Sequence, residues 1–376
     1  MIRHTKCRFV AAVSCAVAVL LAGCSSATNA RNTTATPADV AAGKAAAEAA
    51  IAPFVGHPSA FTDLKPLASL PTGANIAFVD QGTPFSAVLF DLLKGAAQVM
   101  GVKITQFNAG HAADTINTAF NAIIASKPAA VIDAGIDFNL WKNQFAQLRK
   151  AGIPVATAGV TGTKPYGIQG PQAAEPYSQV SGSLVADYIT AKLGTNSQVV
   201  VYTVPELEFT GASAMVIKKE LARVCPGCSE RTVEVPIATI GNTAPSTIVR
   251  DLQSHPESTV GVFPNNEVST GLSAALSAAG INLAIVGMAP GPGELQSIKN
   301  GDQVVGLALD TPVFAWGLLD QAARLIAGQK LSGDQLAGIP VQQFLRRQDI
   351  VFDPSHGWTG YPDFAHRYAT LWGVKR

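Results

Sequence analysis

Asn75-Ile76-Ala77-Phe78-Val79-Asp80, then the turn Gln81-Gly82-Thr83-Pro84, then Phe85, Val88, Leu89, Leu92, Leu93, Ala96, Ala97 and Met100 form the stretch on which the fold turns. A run of six mostly apolar residues is too short for a helix and reads as a buried strand, whereas apolar residues recurring at intervals of three and four read as a helix. Gly101 stops that helix. The unit then repeats as strand Val102–Phe107, helix Asp114–Ser126, strand Ala129–Ala134, helix Asn139–Ala151 and strand Ile153–Ala158. Strands alternating with single helices imply right-handed crossovers and a parallel sheet covered on both faces.

A second series begins after Gly170. Helix Pro176–Leu193 leads to strand Gln198–Val204, helix Phe209–Val224, strand Thr232–Pro236, helix Pro245–Ser254 and strand Thr259–Phe263. Helix Glu267–Ala279, strand Leu283–Gly287, helix Gly293–Asn300, strand Gln303–Leu309, helix Val313–Ala327 and a last strand near Asp349–Phe352 complete it. The expectation is an α/β fold of two doubly wound parallel sheets of about six strands each. In such sheets ligands bind beyond the carboxyl ends of the strands, so the loops after each strand are the ones to inspect.

The N-terminal residues speak to location. Arg3, Lys6 and Arg8 precede an uncharged run from Phe9 to Ala22, too short to span a bilayer of roughly 30 Å and of the length of an export signal. Leu21-Ala22-Gly23-Cys24 resembles a lipobox, which makes residues 1–23 a leader and Cys24 the lipidated first residue of the mature chain. Ser25 to Asp39, rich in Ser, Thr, Asn and Ala, reads as a tether. An Ala-rich stretch to Ile51 has helical character, and Pro53 to Thr72 is a lead-in loop.

Composition is 48% apolar and 14% charged with a net charge of +1, which allows large cores and offers neither a basic face for nucleic acid nor an acidic tail. Without its leader the chain has about 350 residues, more than one core usually organises, so two lobes are expected. Cys7 and Cys15 leave with the leader, and the remaining pair, Cys225 and Cys228 in Cys-Pro-Gly-Cys, reads as a small disulfide where a helix ends. The alternative, a thioredoxin-like redox pair, would open a helix, whereas Pro226-Gly227 here break one. None of the six histidines (His4, His57, His111, His255, His356 and His366) has a second His or a Cys at metal-ligand spacing. There is no Gly-x-Ser-x-Gly elbow and no Walker loop. No catalytic residue, cofactor or metal site is therefore assigned.

From about Gly73 to Phe352 the chain resembles the type I periplasmic binding proteins of the ribose and galactose class, the substrate-binding components of ABC importers. The marks are Gly82-Thr83-Pro84-Phe85 leading into Leu93-Lys94-Gly95-Ala96-Ala97, then Lys127-Pro128-Ala129-Ala130-Val131-Ile132, Ala151-Gly152-Ile153-Pro154-Val155, His255-Pro256 before Val260, and Ile285-Val286-Gly287. The Cys-Pro-Gly-Cys turn and the tail from Asp363-Phe364 to Leu371-Trp372-Gly373 are similar to a lipid-anchored subgroup of sugar binders. The resemblance implies two lobes joined by a three-strand hinge with a ligand cleft between them. The hinge crossings fall near Gln169–Ala174, Ala289–Gly293 and Ile339–Phe344. The lobes are then 73–171 plus 291–340 and 172–290 plus 341–355, after a lead-in of 24–72 and before a tail of 356–376. Two positions depart from the family's pattern. Pentose and hexose binders commonly place an acid after the strands corresponding to Ile153–Ala158 and Leu283–Gly287; here stand Gly159-Val160 and Met288-Ala289-Pro290.

The residues left to hold a ligand are Gln81 and Phe85, Asp137, Glu206 and Phe209, Asn265 and Asn266, and Asp310. Phe85 matches an aromatic that stacks on sugar faces in the family, and is equally a first core contact of its helix. The expected function is capture of a sugar, polyol or related metabolite by hinge closure. The protein is expected to be a monomer outside the cytoplasm, held to the membrane by lipid alone and delivering its ligand to permease subunits. A ligand-presenting sensory module, or an exported enzyme using Asp137 or Glu206 on the same frame, are the competing readings.

Overall fold

The structure is a computed structural model and describes residues 35–61, 65–333 and 337–374. The leader and Cys24 lie outside the described residues. Helix α1 (Pro37–Ile51) starts where Pro37 occupies the first turn and Thr36 caps it: the Thr36 hydroxyl accepts from Asp39 N at 3.2 Å, and the Asp39 carboxylate accepts from Thr36 N at 2.9 Å. Two otherwise orphaned donors are satisfied reciprocally. Pro37 to Asp39 thus belong to a helix, not to the expected tether.

Strand β1 (Asn75–Asp80) is buried almost end to end, as its apolar run requires, between β2 (Lys103–Asn108) and β3 (Ala130–Ala134), with β4 (Val155–Ala158) beyond β3. All three pairings are parallel. The crossovers are α2 (Pro84–Met100), α3 (Ala113–Ser126) and α4 (Lys142–Lys150). Leu89, Leu93, Ala96 and Met100 form the buried stripe of α2, and Gly101 at φ 77° ends it in the left-handed conformation that glycine takes without strain.

The second sheet has six strands in the order β10-β9-β8-β7-β5-β6. They are β5 (Gln198–Thr203), β6 (Ser229–Glu234), β7 (Val260–Phe263), β8 (Ala284–Met288), β9 (Val305–Leu309) and β10 (Gln342–Leu345). Only β10 runs antiparallel. Helices α5 (Glu175–Tyr188), α6 (Glu208–Val224), α7 (Ala244–Ser254), α8 (Leu272–Ala279) and α9 (Pro292–Asn300) accompany it. The last turn of α5 widens into a π-helical turn, Ile189–Leu193. At the end of α6 Cys225 and Cys228 are joined by a disulfide.

Three expectations are corrected. The first sheet has four strands rather than about six. The last strand is Gln342–Leu345, not Asp349–Phe352, whose Val351 is 91% exposed. And the chain does not change lobes at Ala289–Gly293: it runs on through α9 into β9, which pairs with β8, and only then enters α10 (Thr311–Ile326), which packs on α2, β3 and β4 of the first sheet. Residues 291–309 therefore lie with the second sheet. The crossings are near 170–173, 309–311 and 338–341, and they are bonded to one another: Ala173 N donates to Gly338 O and Asp310 N to Val341 O, both at 2.8 Å.

The lead-in and the tail are built into this body. Ser59 N donates to Gln342 O at 2.9 Å, covering the edge strand β10. Helix α11 (Phe364–Leu371) docks on α10 and α2, with Trp372 stacked on Trp316 at 5.4 Å and its ring N–H donating to Asp320 at 2.8 Å. Among the described residues no helix is long and apolar enough to cross a membrane.

Candidate functional site

Asp80, the last residue of β1, shapes the first loop. Its Oδ1 accepts from Gly82 N at 2.8 Å and from the Ser86 hydroxyl, and its Oδ2 from Gln106 at 2.6 Å. Thr83 caps α2 through Ser86 N at 3.1 Å. The loop so fixed presents Gln81 and Phe85 at the carboxyl end of the sheet. There Gln81 donates to Ala134 O beside Gly135, where a Cβ would come within 2.7 Å of the Gln81 amide nitrogen. Glycine at 135, with φ 103°, is what lets the two strand ends approach.

Opposite stand the strand-end loops of the second sheet. Thr210 fixes the loop after β5, accepting from Val204 N at 2.9 Å and donating to Leu207 O at 2.8 Å, and brings Leu207 and Phe209 forward. After β7, Pro264, Asn265 and Glu267 face the same space. The result is a cavity of about 720 Å³, including the solvent at its mouth, lined from both sheets and from the crossings. Gly159, Ala173, Ala289 and Leu309 also line it, as do Tyr177 from α5 and Phe314 from α10. A smaller neighbouring cavity holds Glu206 and His111 and shares Gln81, Gly135 and Leu207 with it.

Two carboxylates tie the lobes together across the cleft. Glu267 Oε1 accepts from Phe85 N at 2.8 Å, and Glu208 Oε2 accepts from Thr161 N at 3.1 Å and from the Thr161 hydroxyl at 2.5 Å. Burial, with Glu294 nearby, pushes the Glu267 carboxyl up to about 7 against the pull of the Phe85 N–H. Glu208 is also raised, first by burial and then by the neighbouring Asp137 charge, while Thr161 pulls the other way.

Of the eight sequence-predicted residues, Gln81, Phe85, Phe209 and Asn265 line the main cavity, and Glu206 lines its neighbour, accepting from Ile237 N at 3.2 Å. The other three are turned to other work. Asp137 caps the turn at Asn139 N at 2.8 Å. Asn266 points into the second lobe, bonded to Ser269 at 2.7 Å and Gln303 at 2.9 Å. Asp310 caps α10 through Val313 N at 3.1 Å and holds Gly360 N at 2.8 Å and the Thr359 hydroxyl at 2.9 Å. Sequence reasoning missed Glu267, Glu208, Tyr177 and Phe314. Both acids lie within the loops that follow strands, Pro205 to Phe209 and Pro264 to Glu267, which is the signal that marks them. Among the described residues no group of three or more His, Cys, Asp and Glu could hold a metal ion.

Residues 74–330 match the model of a family described as the periplasmic binding protein domain. No curated protein matches the sequence. Solved structures do. One is a 5-methylthioribose transporter solute binding protein from Thermotoga lettingae, in complex with 5-methylthioribose: 15% identity, TM-score 0.65, with 80% of this chain and 99% of that one covered. Another is a carbohydrate transporter from Acidothermus cellulolyticus in complex with myo-inositol, at 16% identity and TM-score 0.63, covering 79% and 99%. A third is an ABC transporter solute binding protein from Agrobacterium vitis with bound allitol, at 18% identity and TM-score 0.63, covering 74% and 97%. At these identities the likeness speaks for the fold.

Proposed function

The chain belongs to the periplasmic binding protein family, and from that premise we propose that it is an extracytoplasmic solute-binding lipoprotein, not an enzyme. It captures a small sugar-related or polyol-related molecule in the cleft between its lobes and delivers it to the permease of an ABC importer. The observation that carries the reading is the cavity itself, lined by strand-end loops of both sheets and closed by Glu267 and Glu208, each bonded to the opposite lobe. Crossings at three points, bonded to one another, suit a hinge about which two rigid bodies close. The solved relatives named above hold 5-methylthioribose, myo-inositol and allitol, which supports a ligand of that general kind. Cys24, at the end of the export signal, carries the lipid and keeps the monomeric protein at the membrane surface.

A ligand that binds only the folded protein stabilises it by RT ln(1 + [L]/Kd), about 2.7 kcal/mol at a hundredfold excess over Kd. A thermal-shift screen over sugars, polyols and their derivatives is expected to return hits that calorimetry reproduces with one site per chain. A folded protein with no hit anywhere would remove the reading. Fractionation of cells that express the chain tests the anchor: Cys24→Ala is expected to move it from the membrane to the soluble fraction.

A further inference from the structure

We propose that the guest of this cleft is an uncharged molecule with one hydroxyl-bearing end and one alkyl or aryl end, not a sugar or polyol hydroxylated all round. The inference rests on the reading of the cleft as a ligand site and narrows its substrate class.

The supply of polar partners carries the first half. Five lining side chains have hydrogen-bonding atoms, and each has already committed one inside the protein. Gln81 donates its amide to Ala134 O, Thr83 caps α2, and the Tyr177 hydroxyl is bonded with Ser181. Asn265 accepts from Glu267 N at 3.4 Å, and Glu267 accepts from Phe85 N at 2.8 Å. What remains for a guest is the Gln81 carbonyl and its second amide hydrogen, the Thr83 hydroxyl hydrogen, the unused side of the Tyr177 hydroxyl, the Asn265 amide nitrogen and the second Glu267 oxygen. A free hexose presents hydroxyls all round its ring, each both donor and acceptor, whereas these atoms come from a few fixed positions, and each hydroxyl buried against the apolar remainder without a partner costs about 1–3 kcal/mol.

The rest of the wall carries the second half. Phe85, Phe209, Phe314, Leu207 and Leu309 face the same space. The Phe209 ring lies 3.4 Å from where a Cβ on Gly159 would sit, so an aromatic edge packs over that strand end where no polar side chain stands. Ala289 likewise offers a methyl at the end of β8. Among the described residues the lining holds no Lys or Arg, so an anion would find no counter-charge. The one lining carboxylate, Glu267, is engaged in closing the lobes.

The test is calorimetry on the full chain with matched pairs: D-ribose against 5-methylthioribose, and D-glucose against phenyl β-D-glucoside. At least one substituted probe is expected to bind ten times more tightly than its parent, or about 1.4 kcal/mol. Phe314→Ala is expected to remove most of that margin, and the wild-type comparison stands whether or not this variant folds. Parents that bind as tightly as their derivatives, or more tightly, overturn the inference and leave the cleft's role intact. If no sugar, polyol or derivative binds the folded protein, the cleft's role falls with it.

Discussion

Glu267 Oε1 takes a hydrogen bond from Phe85 N across the cleft, and that geometry makes closure sensitive to protons. The carboxyl is only 9% exposed, and burial, with Glu294 nearby, raises it from 4.5 to about 7. The closed, folded form therefore binds a proton that the unfolded chain has already released. Its contribution to stability is present below the ordinary glutamate range and is lost as pH rises through about 7. Thermal unfolding followed between about pH 5 and pH 8 is expected to show stability falling with pH, and Glu267→Gln, which keeps an acceptor for Phe85 N, to flatten the fall. Asp187, pushed up to about 7 by burial, titrates in the same window, so the difference between variant and wild type is the readout. An unchanged slope in the variant would place the proton elsewhere. The place of Gln81, Phe85, Phe209 and Asn265 on the cavity wall was legible because they lie in the loops and first helical turns that follow strands, where parallel sheets bind ligands. Their neighbour Asn266 was not, because its amide is buried under Gly287, where any Cβ would lie 1.8 Å from the Asn266 carbonyl oxygen. Nothing in adjacent asparagines tells which of them turns inward. Tyr177 and Phe314 reach the cavity from helices, and which face a helix shows to the cleft depends on where the chain crosses between lobes.

Helix α1 lies outside the family match yet packs against α5 and α6, with Ala47 and Ile51 buried in the main core. At Gly43 the helix comes so close to the end of α6 that a Cβ would sit 2.1 Å from the Val224 carbonyl oxygen. Gly43→Ala separates two pictures by sign. In an unpacked helix the change is stabilising by about 1 kcal/mol, because alanine is the better helix former. In the packed helix the methyl meets backbone that cannot move aside, and a loss of about 1–3 kcal/mol in chemical denaturation is expected. Trp372→Ala makes a parallel test at the other terminus, where it removes the stack on Trp316 and the bond to Asp320. A loss of about 3–5 kcal/mol is expected there, the range for truncating a buried aromatic. The regular strand–helix alternation was readable from β1 to α10, since buried parallel strands and amphipathic crossovers carry distinct periodicities. Strand β10 was not readable. Two of its four residues, Gln342 and Gln343, are polar yet buried; the Gln342 side-chain oxygen accepts from the Ser181 hydroxyl at 2.6 Å, and its backbone N donates to the Ser59 hydroxyl on the covering lead-in at 2.9 Å. A buried glutamine that finds its partners only in the tertiary structure looks, in sequence, like surface. The second crossing was misplaced for a related reason: Pro290 and Gly291 punctuate the chain as strongly as Asp310 does, and only strand pairing tells a turn within one lobe from a passage between two.

Between the lobes, the latches and the hinge act on one equilibrium. Glu267 on Phe85 N and Glu208 on Thr161 hold the closed form from two loops of the second lobe. The three crossings are themselves bonded to one another, and the second is pinned further where Asp310 holds Thr359 and Gly360 at the start of the tail. The hinge is thus anchored, whereas the latches are few. Closure of the empty protein then depends on these two carboxylates, on Glu175, which accepts from Gly162 N at 2.7 Å beside the first crossing, and on the apolar contact behind them, and a ligand has only to add its own contacts to that balance. If the closed form is the one that binds, apparent affinity scales with the fraction of molecules closed before the ligand arrives. Replacing both Glu208 and Glu267 with alanine is expected to enlarge the radius of gyration of the ligand-free protein in X-ray scattering. The same change should weaken ligand binding by about tenfold, since each hydrogen bond lost contributes about 0.5–1.5 kcal/mol. Saturating ligand should return the variant to the closed radius. The two readouts together decide what the carboxylates do: affinity lost without any change in radius would mean that they grip the guest directly, and affinity lost with an opened ligand-free form would mean that they grip the other lobe.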